Sequence, residues 1–521
     1  MKSLHRTAWH CLFTFFFISL LHAQTTDLFS FIEEGPDEPI EFKPEAYTPE
    51  RTLRAFTRSC CTDCDGILAT QGIFSQDLYK FTHPINQRSI LDLPEFYFFS
   101  CLPCTQKGNV WQPFIHLFYN ETHKGNFTRD GTGINSYLAF GFARAFEQFG
   151  LNFPIRDALS LFEDLKIQER RAGIMLGAAR YYSDWYFSFE TPLIYLFRNF
   201  YLTPEEVRAV EAFFGDSGDL SFARQHLIAD RFGIGDSRFN VDYVAIDKPT
   251  QRVIFGAEAT IPTALSFKRG LYGNHFSKNA PTPTIDLCEI CNLIINGNID
   301  AAQAIGVDFS VKALDRLSTI LLETSPGNNG HFGAGPVIEY RQLVKPKLEF
   351  RTRANLEYIF PMWERRFFIR KKNLAEFEAL NNPNFNNPCE QLRFLEQQII
   401  ETFFPEGFNT LVLPGFIFKL TNAINGTMAQ GKIQLNLGQD IWWQQGETLG
   451  KIVAPPEEDK RLRKGIAQRP PAFQAKVFGS VIYFRDGHRY TWSLALYGDQ
   501  TVLRSGIGKD FNVGIRFELI L

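Results

Sequence analysis

Apolar and polar residues alternate along several stretches of the chain, and a long example runs from residue 347 to residue 360 (KLEFRTRANLEYIF). Because successive side chains of a β-strand point to opposite faces, this period of two places apolar and aromatic side chains on one face and charged ones on the other. Strands of globular proteins usually span about five or six residues, whereas a tilted transmembrane strand needs about 9–11. The length of the alternation therefore favours a strand that crosses a membrane.

The alternation recurs along the chain and predicts about twelve strands. The connectors alternate in length: 247–251, 345–346 and 486–488 are short, whereas 265–333 and 364–410 are long. An antiparallel meander in a membrane has this parity, because the turns at one rim are short and the loops at the other are long. The predicted strands are 134–142, 171–182, 185–198, 235–246, 252–264, 334–344, 347–362, 411–422, 431–443, 473–485, 489–498 and 510–521, and residues 115–120 would add a further strand.

The predicted fold is therefore all-β: an antiparallel transmembrane β-barrel of about 12 strands (12 to 14) with helical insertions in its long loops. Twelve strands whose first and last connectors are long place both chain ends at the rim with the short turns, which is periplasmic in bacterial barrels. Two long connectors contain stretches with helical spacing, 311–322 and 390–403. We expect them to form a folded cap on the loops; the alternative is a helix that enters and obstructs the lumen.

The N-terminus has the features of a secretory signal peptide. Lys2 and Arg6 precede an apolar run over residues 9–21, and Ala23 is the expected last residue before cleavage. The run is shorter than the roughly 20 residues of a membrane-spanning helix, and no later apolar stretch approaches that length. The predicted organisation is a signal peptide (1–23), a loop-rich, Cys-containing periplasmic extension (24–107) and the barrel (108–521).

Of the nine cysteines, all but Cys11 follow the predicted signal peptide, and most of these lie in closely spaced groups. Such spacing occurs in zinc sites, but disulfides are more common in an oxidising compartment. We therefore predict disulfides, with their pairing left open, and no metal site. The disulfide candidates are Cys60, Cys61, Cys64, Cys101, Cys104, Cys288, Cys291 and Cys389.

The last predicted strand contains a recognisable motif. In NVGIRFEL, Asn512 is followed by Gly514, the aromatic Phe517 and the hydrophobic Leu519. This order resembles the β-signal that the barrel-assembly machinery of Gram-negative outer membranes reads, although the chain ends in Leu521 instead of an aromatic residue. The resemblance is to Gram-negative outer-membrane β-barrel (porin-like) proteins as a class and covers about residues 130–521. It implies lipid-facing aromatic side chains, a polar interior and, often, passive passage of small solutes.

Localisation in the cell outer membrane follows from the same resemblance. The expected partners are outer-membrane lipid, the barrel-assembly machinery and small polar solutes, and a homo-oligomer is an option. A net charge of −3 argues against nucleic acid as a partner. His116, His331 and His488 are dispersed in the sequence, and it has no hydrolase, zinc-protease or phosphate-loop motif. We therefore predict no catalytic residue and no cofactor.

The polar faces of the predicted strands would line the lumen, where opposed acidic and basic groups set the selectivity of a pore. Barrels of about eight strands are filled and those of about 16–18 are open, so a barrel of intermediate size is compatible with both. The leading prediction is a pore for the passive passage of small polar solutes. The alternatives are a closed structural or surface-interaction barrel with partner-binding loops, and a barrel-embedded hydrolase. The pore-lining candidates are Glu349, Arg351, Arg353, Asn355, Glu357, Gln434, Asn436, Asp440, Arg516 and Glu518.

Overall fold

The computed structural model describes Thr82 and residues 84–92, 110–123, 167–200, 226–269, 283–371, 390, 393, 396–397, 406–486 and 490–521. Most of these residues form β-strands, which alternate in burial between neighbouring positions. The strands are β1 (Val110–His123), β2 (Gln168–Tyr182), β3 (Trp185–Asn199), β4 (Ile228–Ile234), β5 (Ser237–Lys248), β6 (Gln251–Ile261), β7 (Leu265–Arg269), β8 (Gly333–Lys345), β9 (Leu348–Ile359), β10 (Met362–Phe368), β11 (Glu406–Leu413), β12 (Gly415–Met428), β13 (Ile433–Gln444), β14 (Thr448–Ile452), β15 (Ala472–Asp486), β16 (Thr491–Ser505) and β17 (Lys509–Ile520).

Twelve of these strands form a closed antiparallel barrel, which confirms the predicted fold class. Around the wall the order is β1, β2, β3, β5, β6, β8, β9, β12, β13, β15, β16 and β17. β17 pairs with β1, with Ile515 opposite Leu117, and this pairing closes the barrel. β4 pairs with residues 193–199 of β3, in the long-loop half of that strand, and β7 pairs with β4. A closed wall leaves no strand edge exposed, as strands surrounded by lipid require.

Most predicted strands overlap strands of the wall, one is wrong and one cannot be compared. β1 contains the residues 115–120 that were considered as an extra strand, whereas the predicted strand 134–142 lies outside the described residues. The prediction of a single strand over 411–422 is wrong, because β11 ends at Leu413 and β12 begins at Gly415. Pro414 between them has no N–H to donate to a ladder. Gly415 has a φ of +81°, which glycine adopts without strain.

The two rims of the barrel differ in their connectors. At the short-turn rim the connectors are 183–184, 249–250, 346–347, 429–432 and 487–490. This rim also holds the start of β1 and the C-terminus, where Trp111 and Leu521 exchange backbone hydrogen bonds of 3.2 and 2.9 Å. The opposite rim, the long-loop rim, carries the long connectors as predicted, except for the last one. That connector contains only residues 506–508, because β16 continues to Ser505.

The wall has apolar side chains on its outer face and polar side chains on its inner face, which is the reverse of a soluble protein. Large apolar side chains point outward and are exposed, as Leu437 (66%), Leu496 (58%) and Phe255 (51%) show. Polar side chains at alternate positions point inward and are buried, among them Gln434 and Arg351. Strands that turn apolar residues to lipid and polar residues to the interior have this distribution. The outer surface of the wall is therefore suited to a bilayer.

The long connectors fold at the long-loop rim. β10, β11 and β14 form a separate three-stranded sheet there, and helices α1 (Leu287–Ile295), α2 (Ile299–Leu321) and α3 (Pro456–Arg461) belong to the same loops. α2 contains the stretch 311–322 predicted as helical, and the four described residues of the second predicted helix, 390–403, are helical as well. None of the helices in the described ranges has the length and hydropathy needed to span a membrane.

Candidate functional site: the barrel lumen

The residues predicted to line a pore lie on the inner face of three wall strands, β9, β13 and β17. Two of them, Glu349 and Arg516, are half-buried and the other eight are buried. Alternation within each strand fixes this orientation, since every second residue shares a face. The eight buried residues are Arg351, Arg353, Asn355, Glu357, Gln434, Asn436, Asp440 and Glu518.

A stretch of chain that precedes β1 lies inside the barrel. Residues 84–92, which we call the lumen segment, end in a short 3-10 helix, Ile90–Asp92, whose three residues are buried. Ile90 and Leu91 pack in one apolar cluster with inward side chains of β1, β2 and β3, among them Phe114 and Phe118. The sequence predicted residues 24–107 as an extension outside the barrel. The described part of that region is instead enclosed by the wall, because its apolar residues and its charges find partners there.

Asp92, the last residue of the lumen segment, is bound by three wall strands. Its carboxylate lies 2.6 Å from Arg238 of β5 and 2.6 Å from Lys419 of β12. The indole N–H of Trp442 in β13 donates a hydrogen bond to it over 3.2 Å, and Arg238 also donates to the backbone oxygen of Leu91. Because a buried charge is costly unless it is paired and hydrogen-bonded, these contacts fix the inner end of the lumen segment.

Arg88 makes the second charged contact between the lumen segment and the wall. Its guanidinium lies 2.5 Å from the carboxylate of Asp440 in β13. It also donates to the backbone oxygen of Asp92 over 2.5 Å, and Arg171 of β2 donates to the backbone oxygen of Arg88 over 2.6 Å. Asp440, which was predicted to face an open pore, therefore forms an ion pair with the lumen segment.

Asp92, Glu258 and Glu357 bring three carboxylates close enough together to suggest a cation site. The ammonium of Lys419 lies at their centre, 2.6 Å from Asp92, 2.8 Å from Glu258 and 3.2 Å from Glu357. An ammonium group has three N–H donors and a single positive charge, so it matches the three acceptors. Lys419 thus occupies the position that a metal ion would need, and we assign no metal site to this cluster.

In the half of the lumen near the short-turn rim, charged side chains of the wall pair with one another. Glu339 of β8 pairs with Arg341 of the same strand and, in β9, with Arg351 at 2.7 Å and Arg353 at 3.2 Å. Arg353 also lies 3.1 Å from Asp242 of β5. Strands β5 and β9 are separated in the wall by β6 and β8, so this ion pair crosses the interior. All of these charged residues therefore belong to the wall.

A third polar network connects β1 with β15, β16 and β17. Asp510 lies 2.8 Å from Lys476 and accepts a hydrogen bond of 2.6 Å from Thr501. Asn120 of β1 donates to Asp510 over 2.8 Å and to Asn512 over 2.7 Å. Both partners of each contact belong to wall strands, so this network reinforces the wall on the side where the chain closes the barrel.

The four residues predicted as an assembly signal all lie on β17. Asn512 points inward and donates to Asp499 over 2.8 Å, whereas Phe517 points outward and is 44% exposed. At Gly514 a Cβ atom would lie 2.5 Å from both the backbone oxygen of Leu117 and the ring of Tyr497. Glycine is therefore required there by packing. Leu519 is half-buried, and recognition by assembly machinery stays a prediction.

Two of the predicted disulfide candidates lie within the described chain. Cys288 and Cys291 both belong to α1, and Cys288 is buried. The pairing of the candidates stays a prediction. The remaining six, Cys60, Cys61, Cys64, Cys101, Cys104 and Cys389, lie outside the described residues.

Beyond the long-loop rim, buried charges join the sheet of β10, β11 and β14 to the neighbouring loops; we call this region the cap. Arg366 of β10 lies 2.9 Å from Glu447 and 3.2 Å from Glu364, and Nε2 of His331 lies 2.6 Å from Glu364. Burial alone would raise the pKa of Glu364, but the Arg366 guanidinium and the His331 hydrogen bond outweigh burial and lower the pKa to about 2. Glu364 is therefore ionised at neutral pH.

The described lumen contains separate small cavities. One of about 120 Å³ lies in the long-loop half, and its lining includes Arg88, Asp92 and Glu357. Another of about 70 Å³ lies in the short-turn half, and its lining includes Arg353 and Glu518. Each cavity has room for several water molecules. Charged side chains of the wall contribute to the lining of both cavities.

The fold and the lumen together define a class, a closed twelve-stranded β-barrel with an apolar outer face and a polar interior. No protein-family model matches the sequence, and no curated protein matches it. Among solved structures, the chain is similar to the COG4313 outer membrane channel from Pseudomonas putida F1, with 9% identity and a TM-score of 0.41 over 82% of this chain and 99% of that one.

Two further solved structures are similar at the same low level. The Pseudomonas putida toluene transporter TodX has 7% identity and a TM-score of 0.30, over 86% of this chain and 96% of that one. The beta domain of the Bordetella autotransporter BrkA has 8% identity and a TM-score of 0.29, over 78% of this chain and 98% of that one. Because these TM-scores are below 0.5, the assignment of the barrel rests on the strand pairing of the chain itself.

Of the wall residues that bind the lumen segment through charges, the sequence analysis identified Asp440 but not Arg238 or Lys419. Arg238 and Lys419 occupy inward positions of alternating strands, so the pattern that identified Arg351 could have included them. Asp92 belongs to no periodic stretch, and nothing in its surroundings in the sequence indicates that it meets Lys419.

Proposed function

We propose that the chain is an outer-membrane channel barrel that its lumen segment holds closed, and that passes small polar solutes when this segment leaves the wall. The pairing of wall charges with a piece of chain outside the wall supports the proposal. Asp92 binds Arg238 and Lys419, and Arg88 binds Asp440. Moving the segment would expose these inward charges without breaking any strand pair.

The inner wall suits polar solutes better than apolar ones. If the lumen segment left, Lys419 would keep its contacts with Glu258 and Glu357, and the long-loop half would be lined by hydrated charges. An apolar solute would have to displace water from these groups, which is unfavourable. The solutes should also be small, because a barrel of this size is narrower than the open porins of about 16–18 strands.

We place the barrel in the outer membrane with its short-turn rim toward the periplasm and a signal peptide at residues 1–23 directing export. The exposed apolar side chains of the wall support insertion into lipid. Recognition of β17 by the barrel-assembly machinery and formation of a homo-oligomer belong to the same proposal. The experiment that tests the proposal depends neither on this recognition nor on an oligomer.

Single-channel recording in planar bilayers tests the proposal. The variant replaces residues 84–92 with a Gly/Ser sequence of equal length, which cannot pair with Arg238, Lys419 or Asp440. We expect the wild-type protein to show rare conductance steps and the variant to raise the open probability at least about ten-fold, which corresponds to about 1.4 kcal/mol. A matched control replaces α3, which has no buried residue, and should behave like the wild type.

Each protein must show heat-modifiable migration on a gel before recording, because that property reports a folded barrel. A folded variant that inserts into the bilayer and gives no conductance steps would contradict a channel. The recording thus separates a closed channel from a barrel that never conducts.

A closed structural barrel is the alternative, and the short-turn half of the lumen favours it. There Arg353 pairs with Asp242 across the interior and with Glu339 of the neighbouring strand, and all three residues belong to the wall. Replacing the lumen segment leaves these contacts in place. If the barrel is purely structural, the variant should therefore fold and insert into the bilayer but show no conductance steps. The cap would then be the surface that contacts a partner.

Catalysis is not part of the proposal. His116 lies 2.7 Å from the hydroxyl of Tyr497 inside the wall, and His331 pairs with Glu364 in the cap. Both contacts join structural elements. His488 lies outside the described residues.

A further inference from the structure

The larger of the two cavities lies where the lumen meets the cap. Its lining includes Arg198 at the long-loop end of β3, Arg366 of β10 and Arg469 just before β15. In the wall, β3 and β15 are separated by four strands on the shorter way round, and β10 belongs to the cap. The three arginines therefore approach this cavity from different sides.

Arginine outnumbers the acidic residues in the lining of this cavity. Seven arginines and four acidic residues line it, and each of the four carboxylates already has a cation within 3.2 Å. These pairs are Asp92 and Glu357 with Lys419, Glu323 with Arg231, and Glu364 with Arg366. Glu169 and Glu447, which do not line the cavity, pair with some of the arginines from behind. The surface that faces the cavity is therefore richer in guanidinium groups than in carboxylates.

The guanidinium group of Arg469 has few partners in the described part of the chain. Its side chain is only 12% exposed, and its Nε lies 3.4 Å from Glu447 without a hydrogen bond. None of the described residues accepts a hydrogen bond from this guanidinium. A guanidinium has five N–H donors, and a buried donor without an acceptor is costly. Arg469 therefore offers N–H donors to a ligand in the cavity.

Arg366 and Arg198 differ in how far their N–H donors are used. Nη2 of Arg366 donates to both carboxylate oxygens of Glu447, over 2.9 and 3.0 Å. Its Nε and Nη1 are buried and find no acceptor among the described residues. Arg198 donates to Glu169 and to the backbone oxygen of Leu321. Arg366 thus adds unused donors to those of Arg469, whereas Arg198 adds its positive charge.

The three positive charges are close enough to act on one another. Burial lowers the pKa of Arg469, and the neighbouring charges of Arg366 and Arg198 lower it further, against the opposite effect of Glu447 and Glu364. Like charges in a buried site disfavour one another. An anion bound between these guanidinium groups would reduce their repulsion and accept their unused hydrogen bonds.

We propose that Arg469, Arg366 and Arg198 form a binding site for a small oxyanion, such as phosphate or sulfate, at the junction of the lumen and the cap. The planar guanidinium group presents N–H donors in pairs that match two oxygens of one oxyanion. A spherical chloride ion lacks this match. The cavity has room for several water molecules and hence for an ion of this size, and the buried Gln444 of β13 adds a carboxamide to its lining.

This inference goes beyond the proposed channel and does not depend on it. The three arginines are in place while Arg88 and Asp92 of the lumen segment are bound to the wall. Binding of the oxyanion therefore requires neither release of the lumen segment nor conductance. A closed structural barrel would bind the ion as well as a channel would.

Equilibrium dialysis of the purified, folded protein against radiolabelled phosphate tests the site. We expect saturable binding that sulfate displaces and that chloride at the same ionic strength does not displace. Arg469→Gln should weaken phosphate binding at least about ten-fold, because it removes charged hydrogen bonds. The matched control is Arg485→Gln, which removes an exposed positive charge near the short-turn end of β15 and should leave phosphate binding unchanged.

Absence of saturable phosphate binding to the wild type would overturn the inference. Displacement by chloride at the same ionic strength, or equal weakening by Arg485→Gln, would show a general attraction to positive charge and would overturn it as well. Unchanged binding in a folded Arg469→Gln variant would rule out the site assigned to these three arginines.

A second variant decides the question if Arg469→Gln does not show the heat-modifiable migration of a folded barrel. Arg469→Lys keeps the positive charge but loses the paired N–H donors, so phosphate binding should still weaken several-fold relative to the wild type. Binding as tight as that of the wild type would contradict recognition by the guanidinium group. None of these measurements records conductance, so their outcome is separate from the test of the channel.

Discussion

In the two halves of the lumen, the buried charges are paired by different parts of the chain. Toward the short-turn rim, the paired charges of Glu339, Arg353 and Asp242 all belong to strands of the wall. Toward the long-loop rim, one partner in each of two main pairs comes from the lumen segment, through Arg88 and Asp92. The wall strands are joined by continuous backbone ladders, whereas residues 84–92 form no strand.

This difference determines which contacts must break before the buried charges of each half can separate. The ion pairs of the short-turn half could be lost only if wall strands separated or several arginines lost their carboxylates. The long-loop half could open by exchanging the contacts of one short segment for water. Because desolvation offsets much of the attraction in a buried ion pair, moving the segment should cost far less free energy than opening the wall. The long-loop half is therefore the movable part of the lumen.

Glu339→Gln should have the largest effect, because Glu339 is the carboxylate that Arg341, Arg351 and Arg353 share. Removing one partner of a buried charge network leaves uncompensated charge and costs about 3–5 kcal/mol. We expect the free energy of unfolding, measured with urea in lipid vesicles, to fall by about that amount. The open probability in planar bilayers should not rise, because the lumen segment stays bound.

The control for this variant is Glu457→Gln. Glu457 pairs with Lys460 at the surface and its side chain is 85% exposed, so the free energy of unfolding should change by less than about 0.5 kcal/mol. An equally small change in the free energy of unfolding for Glu339→Gln would show that this network does not stabilise the short-turn half. The proposed difference between the two halves would then be wrong.

Much of the wall could be predicted from the sequence because a period of two determines both a strand and its buried face. β9 shows this most clearly, since the alternation from Leu348 to Ile359 gives its bounds and its inward residues. The break between β11 and β12 could not be read from hydrophobicity, because Pro414 and Gly415 interrupt a run that remains apolar on both sides. The extent of β16 was underestimated because the polar residues 499–501 interrupt the alternation, although they continue the pairing with the neighbouring strands.

The lumen segment could not be predicted, because its structure depends on residues far away in the sequence. Residues 84–92 have no hydrophobic period, and Asp92 is stabilised by Lys419 and Trp442, more than three hundred positions later. The sequence also indicates which residues face inward but not their partners. Arg351 and Arg353 were candidates for setting ion selectivity, yet both share Glu339, so reversing their charge would first destabilise the wall.

Asp92→Asn should have an intermediate effect on stability and the clearest effect on opening. Lys419 would keep Glu258 and Glu357, and Arg238 would keep Glu258 at 3.2 Å, so the wall remains compensated. Weakening charged hydrogen bonds of this kind costs about 1–3 kcal/mol. We expect a loss of that size in the free energy of unfolding and a several-fold rise in open probability.

Asp510→Asn is the matched control, because Asp510 is also a buried carboxylate in the long-loop half but contacts wall residues such as Lys476 and Thr501. It should reduce stability to a similar degree without raising the open probability. An equal rise in both variants would mean that general loosening, not release of the lumen segment, opens the barrel.

The smallest effect concerns the cap that covers the long-loop half, and it appears only at acidic pH. Burial raises the pKa of Glu364, but Arg366, His331 and Arg469 together lower it from 4.5 to about 2. A carboxyl group whose pKa falls on folding stabilises the protein above its unfolded pKa and loses that contribution as the pH falls through the folded value. The contribution of Glu364 should therefore be constant at neutral pH and disappear between about pH 4.5 and pH 2.

Comparing the wild type with Glu364→Gln isolates this contribution, since His331 and Arg366 are present in both proteins. The difference between their free energies of unfolding should be the same at about pH 8 and about pH 5 and should shrink at about pH 3. A difference that stays the same down to pH 3, or that grows as the pH falls, would mean that Glu364 titrates at or above the ordinary value for a carboxyl group. The ion pair with Arg366 would then be too weak to hold the cap, and closure of the long-loop half would rest on the lumen segment alone.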